Sequence, residues 1–109
     1  MTLAIDLEVL TQGRVHNLSG HERGLAAREH FRLDELDKAG EAVEIRVPEH
    51  IYGVSPSFIQ GLLSESVQSL GSTREAFFSH YHLIASDLVR RQFDRGLSAI
   101  LTDRNFAIN

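Results

Sequence analysis

Ser55 and Ser57 flank Pro56 and precede Phe58, and this short run offers the most definite local chemistry in the chain. A serine directly before a proline is a helix-start signal. Its hydroxyl can accept a free backbone N–H, and proline in the first helical position loses no hydrogen bond. The hydroxyl of Ser57, one residue further, falls in the first turn. A phosphoryl group there would add about 1.5 to 2 negative charges where the helix dipole favours them, and would change what a partner meets at that end. Helix capping alone also accounts for serines at both positions, so a switch at Ser57 and a purely structural role are both open.

Six histidines invite comparison with metal sites, and His80 and His82 would share a face if residues 76–84 form a strand. A zinc centre needs three or four ligands. The spacing of His16, His21, His30 and His50 supplies no third member, so the expectation is a half-buried polar strand face without metal. For hydrolysis, Ser57 with His50 is the nearest pairing, but no Gly-x-Ser-x-Gly turn is present and a triad is defined by geometry. Gly13, Gly20 and Gly24 form no phosphate-binding loop, and with zero cysteines there is no thiolate nucleophile. No cofactor is expected. A small metal-dependent or hydrolytic enzyme using His50, His80 and His82 is kept as the rival reading.

The elements that must position these residues follow from periodicity. Residues 1–9 alternate apolar and polar and read as a strand. Residues 11–14 read as a turn, and residues 15–18 as a short second strand expected to run antiparallel in an N-terminal hairpin. Residues 24–39 favour one helix that Gly40 stops. Residues 43–47 alternate strictly, with Val43, Ile45 and Val47 apolar, and Pro48 ends the strand. A loop over 49–54 leads to a helix from Ser55 to about Leu70, whose buried face carries Ile59, Leu62, Leu63, Val67 and Leu70. Residues 76–84, rich in aromatics, read as a central strand. Ser86 and Asp87 cap a last helix with Val89, Phe93, Leu97 and Ile100 on one face, and the tail over 102–109 is short and polar. Strands alternating with helices imply one small α/β domain over 1–109, with a mixed, mainly parallel sheet packed with helices. Such sheets gather functional groups at the carboxyl ends of their strands, here residues 48–57 and 85–88.

The run of strand, loop, cap and helix over 47–63 resembles STAS domains, the fold named for sulphate transporters and anti-sigma factor antagonists. It is most similar to the STAS-like family of unknown function. Ser55-Pro56-Ser57-Phe58 matches the small-residue pair and Phe that lead into that family's helix, and residues 25–30 (Leu-Ala-Ala-Arg-Glu-His) match the start of its upstream helix. The resemblance is strongest over 19–101. It implies a STAS-like fold and a bacterial-type regulatory role, with Ser57 at the position phosphorylated in anti-sigma factor antagonists and a kinase or anti-sigma-type ATPase as the protein partner. Two positions depart from the pattern: Ser55 stands where an acidic residue is usual, and Phe58 stands where glycine is.

Composition narrows the rest. The chain has 109 residues, 42% hydrophobic and 24% charged, the balance of one globular domain. Fifteen acidic against eleven basic residues give a net charge of −4, the wrong sign for attraction to nucleic acid or anionic lipid. No apolar run approaches the roughly 20 residues of a spanning helix. Asp6 and Glu8 break up the N-terminal apolar residues, which is unlike an export signal, and the expected setting is cytoplasmic. Arg90, Arg91 and Arg95 make a basic patch, and Glu22, Glu29, Asp34, Glu35 and Asp37 an acidic one. These are either solvated faces or complementary docking surfaces, compatible with a homodimer. The functional expectation is a non-enzymatic regulatory protein-interaction module. Its surface comprises Glu49, His50, Tyr52, Ser55, Ser57 and Phe58, with burial of Phe58 under its helix as the competing outcome. A small-molecule sensor using the same loop is a third reading.

Overall fold

The computed structural model describes residues 3–102. The first two residues and most of the polar tail expected over 102–109 therefore lie outside the described residues.

The chain folds as an α/β domain in the order β1 (Leu3–Asp6), α1 (Glu8–Thr11), β2 (Asn17–Leu18), α2 (His21–Phe31), α3 (Leu33–Asp37), β3 (Val43–Arg46), β4 (Gly53–Val54), α4 (Pro56–Ser69), α5 (Arg74–His80), β5 (Tyr81–Ile84) and α6 (Asp87–Thr102). Three strands form a parallel sheet in the order β1-β3-β5, with Ile5 opposite Ile45 and Ile45 opposite Leu83. A second, two-stranded sheet pairs Asn17 with Gly53 and Leu18 with Val54, also in parallel.

Side-chain alternation gives the three-stranded sheet two unlike faces. Ile5, Val43, Ile45 and Tyr81 are buried in the core on one, while Ala4, Asp6, Arg46, His82 and Ile84 are exposed on the other. Among the described residues helices thus cover one face only, which suits a sheet whose strands alternate rather than run apolar throughout. On the covered face α4 is the central helix, packed between α2 and α6. Its Phe58, Ile59, Leu62, Leu63 and Val67 are all within 2% of full burial. Each such side chain stabilises the fold by about 1.5–3 kcal/mol over leaving it in water.

Several expectations need correction. The helix predicted over 24–39 is two, because Arg32 turns to φ 55° and ends α2 in the left-handed region. That conformation disfavours continuation for a residue with a Cβ. The strand predicted over 15–18 shrinks to Asn17–Leu18 and pairs in parallel with β4, not antiparallel in a hairpin. Residues 76–84 are not one central strand. Thr73 Oγ1 accepts the Ala76 N–H and starts α5, so Phe77 and Phe78 are helical, and β5 begins only at Tyr81, on the sheet edge. Aromatic content favoured a strand there, but a local cap decides for helix.

The segments with strong local signals form as expected. Ser55 Oγ accepts the Phe58 N–H at 3.2 Å with Pro56 behind it, and Ser86 Oγ accepts the Val89 N–H at 3.3 Å. No helix among the described residues is long and apolar enough to cross a membrane.

Candidate functional site

Because all three main strands run in parallel, β1 and β3 deliver their following segments to the same edge of the sheet. The loop after β3, residues 47–55, turns over that edge and is tied to the segment 16–18. His16 O accepts the N–H groups of Tyr52 and Gly53 at 3.0 and 3.3 Å, and Leu18 O accepts that of Ser55 at 2.9 Å. His16 Nδ1 also donates to His50 O at 2.8 Å, and the His16 ring stacks on Tyr52 with centroids 5.4 Å apart and an interplanar angle of 11°. From the other side, Gln92 of α6 clamps the loop: its Oε1 accepts the Val54 N–H at 2.7 Å and its Nε2 donates to Tyr52 O at 3.2 Å.

The consequence is an aromatic ring held in place yet left in water. Tyr52 is 53% exposed although its backbone is bonded on both sides. Glu49, three residues earlier, is exposed, and His50, Ser55 and Ser57 are partly buried. Ser57 Oγ lies 3.0 Å from Ser55 Oγ, the cap of α4. A phosphate on Ser57 would therefore stand next to the cap and the open N–H groups of the first turn. Phe58 is only 2% exposed, so of the six residues expected on this surface it belongs to the core and anchors α4 from beneath.

His50 has other company than the hydrolytic reading needs. Its Nε2 lies 2.9 Å from Thr11 Oγ1 and 3.3 Å from Glu8 Oε2, while the Thr11 hydroxyl donates to Glu8 O at 3.2 Å. A proton on Nε2 satisfies all three, so His50 fixes α1 to the loop. Ser57 is engaged by Ser55 and makes no hydrogen bond to His50. The Thr11 hydroxyl that does meet His50 sits in a residue only 3% exposed. His50, His80 and His82 do not converge. His80 closes α5 at the opposite, amino end of β5 and donates Nε2 to Leu36 O at 2.6 Å, and His82 lies on the open face of the sheet. Among the described residues no group of three or more His, Asp or Glu side chains could hold a metal ion.

A polar network in the interior was not foreseen from the sequence. Arg28 donates to Ser66 Oγ at 2.7 Å, to Leu62 O at 3.1 Å, and to Asp34 and Asp37, each at 2.7 Å. Its Nε lies 3.0 Å from Glu65 Oε2 without hydrogen-bond geometry. Asp37 in turn accepts from Ser66 at 2.6 Å and from the Tyr81 hydroxyl. The network joins α2, α3, α4 and β5. Burial alone would lower the Arg28 pKa, but the Asp37 and Asp34 carboxylates outweigh it and hold the guanidinium more firmly charged than usual. For Tyr81, burial first and the Asp37 carboxylate second push the phenol above its ordinary value.

The two charged patches are correspondingly less free than their residue types suggest. Asp37 and Asp34 are spent on Arg28, and Arg90 donates to Leu83 O and Ala85 O along the outer edge of β5.

Comparison with known proteins returns no matching family model, no matching curated protein and no matching solved structure. The α/β architecture thus rests on the chain's own geometry.

Proposed function

We propose that this chain is a non-enzymatic regulatory module that docks a protein partner on the loop and helix start formed by Glu49, His50, Tyr52, Ser55 and Ser57. The supporting observation is Tyr52, a large aromatic kept half in water by a backbone clamp and a stacked imidazole. Aromatic side chains with little entropy left to lose are the usual anchors of protein interfaces. A loop with no binding role has no need to hold one so firmly outward. Ser57 lies further along the same segment, next to the cap of α4, and phosphorylation there would place a near-dianion at the helix start. The resemblance to STAS-like domains adds a candidate partner class, a kinase or anti-sigma-type ATPase that carries its own nucleotide.

Affinity capture from the native host tests the switch, with tagged wild type beside Ser57→Ala and Ser57→Asp. The expected result is one partner retained by wild type and Ser57→Ala and released by Ser57→Asp. Equal capture by all three proteins, or capture by none, contradicts it.

A further inference from the structure

On the flank of the domain α1 and α2 stand apart and leave a groove of about 520 Å³ between them, inside the range of about 300–1,000 Å³ typical of small-ligand sites. One wall is a face of α2. Arg23, Ala26, Ala27 and His30 recur at spacings of three and four, so their side chains lie along one side of the helix, and the two alanines leave room where larger residues would close the gap. The opposite wall is mostly apolar: Val9 and Leu10 from α1, Val15 from the segment after it, and Leu18 from β2, with Asn17 of β2 as its one polar residue. Val9 and Val15 are 52% and 44% exposed, so this wall leaves two branched apolar side chains in water.

The charge of the groove is opposite to that of the chain. In a protein of net charge −4, no carboxylate among the described residues lines it. Among the described residues Arg23 makes no ion pair. An unpaired guanidinium and an imidazole thus stand along one wall, facing aliphatic side chains on the other.

We propose that this groove binds a small amphipathic monocarboxylate, its carboxylate paired with Arg23 and its alkyl body laid on Val9, Leu10, Val15 and Leu18. A guanidinium fork matches the two oxygens of a carboxylate. An inorganic anion would gain nothing from the apolar wall, and a neutral lipid would leave the Arg23 guanidinium without a partner. A folded protein is a poorer fit, since a stable interface buries about 800 Å² per partner and this trough offers only two exposed aliphatic side chains. The site is separate from the docking loop, and the proposal stands independently of the proposed function.

Decanoate is a suitable probe, titrated into the isotopically labelled full chain and followed by amide and methyl NMR, with decanol as the uncharged control. The expected result is saturable binding at one site, with shifts centred on Val9, Val15, Leu18 and Ala26. Decanol should bind at least tenfold more weakly. Arg23→Gln should cost about tenfold in affinity, about 1.4 kcal/mol. Ala26→Phe, at an exposed position, should fill the groove and abolish binding while the remaining spectrum keeps its native dispersion. Equal affinity for decanol, undiminished binding by Arg23→Gln or Ala26→Phe, or shifts scattered over the surface without saturation would each overturn the proposal.

Discussion

Asp37 shows how much a single buried residue decides in this protein. Its carboxylate accepts from Arg28, Ser66 and Tyr81, donors on three different elements, and it is only 7% exposed. An unpaired charge at that depth would be costly, so each donor is needed to hold the others in place. The Tyr81 phenol has a measurable consequence. Its folded-state pKa lies above the ordinary value of about 10 found in the unfolded chain, because ionisation would bury a second negative charge beside Asp37. Below pH 10 the phenol is neutral in both states and its contribution is fully present. As pH rises beyond 10 the unfolded chain releases this proton first, and stability falls by up to about 1.4 kcal/mol per pH unit. Urea unfolding between pH 9 and 11 should therefore show a steeper loss for wild type than for Tyr81→Phe, and equal slopes would refute the assignment. None of this was legible beforehand. Arg28 belongs to the segment that carries the STAS-like resemblance, but its partners lie 9 and 38 residues away, and sequence spacing on one helix says nothing about them.

At the scale of elements, the crossing of α2 over α4 sets the geometry that brings Arg28 to Ser66. Gly24 and Gly61 meet there backbone to backbone. A Cβ on Gly24 would stand 2.2 Å from Phe58 O and 3.0 Å from Gly61 Cα, and one on Gly61 would stand 2.2 Å from His21 O. Glycine inside a helix costs roughly 1 kcal/mol in propensity, and close approach is the compensation. Gly24→Ala should force the helices apart and destabilise the domain by about 1–3 kcal/mol or more, read as a lower urea midpoint. A midpoint equal to wild type would show that the crossing is looser than the geometry indicates. The elements with their own start and stop signals were legible: Ser55-Pro56 for α4, strict alternation for β3, and the apolar face of α6. The boundary between α5 and β5 was not, because Phe77, Phe78 and Tyr81 suit a strand and a helix equally. The pairing of β2 with β4 was hidden as well, since two residues carry too little pattern to specify a partner.

For the whole molecule, parallel pairing is what assembles the candidate site. It brings the segments after β1 and β3 to one edge, where α1, the loop over 47–55 and the start of α4 meet. The sequence located this region through the general rule for strand ends, and five of the six residues expected at its surface are at least partly exposed there. It could not supply the clamp from Gln92 or the stacking of His16 on Tyr52, which depend on elements 36 to 40 residues apart. The account rests on Tyr52 as the docking anchor, and the most direct test is the affinity of the captured partner for wild type and Tyr52→Ala, measured by calorimetry with the melting temperature as a fold control. A loss of about 2 kcal/mol or more, roughly thirtyfold, at an unchanged melting temperature is the predicted result. An affinity that stays within twofold of wild type would contradict it and remove this loop from the interface.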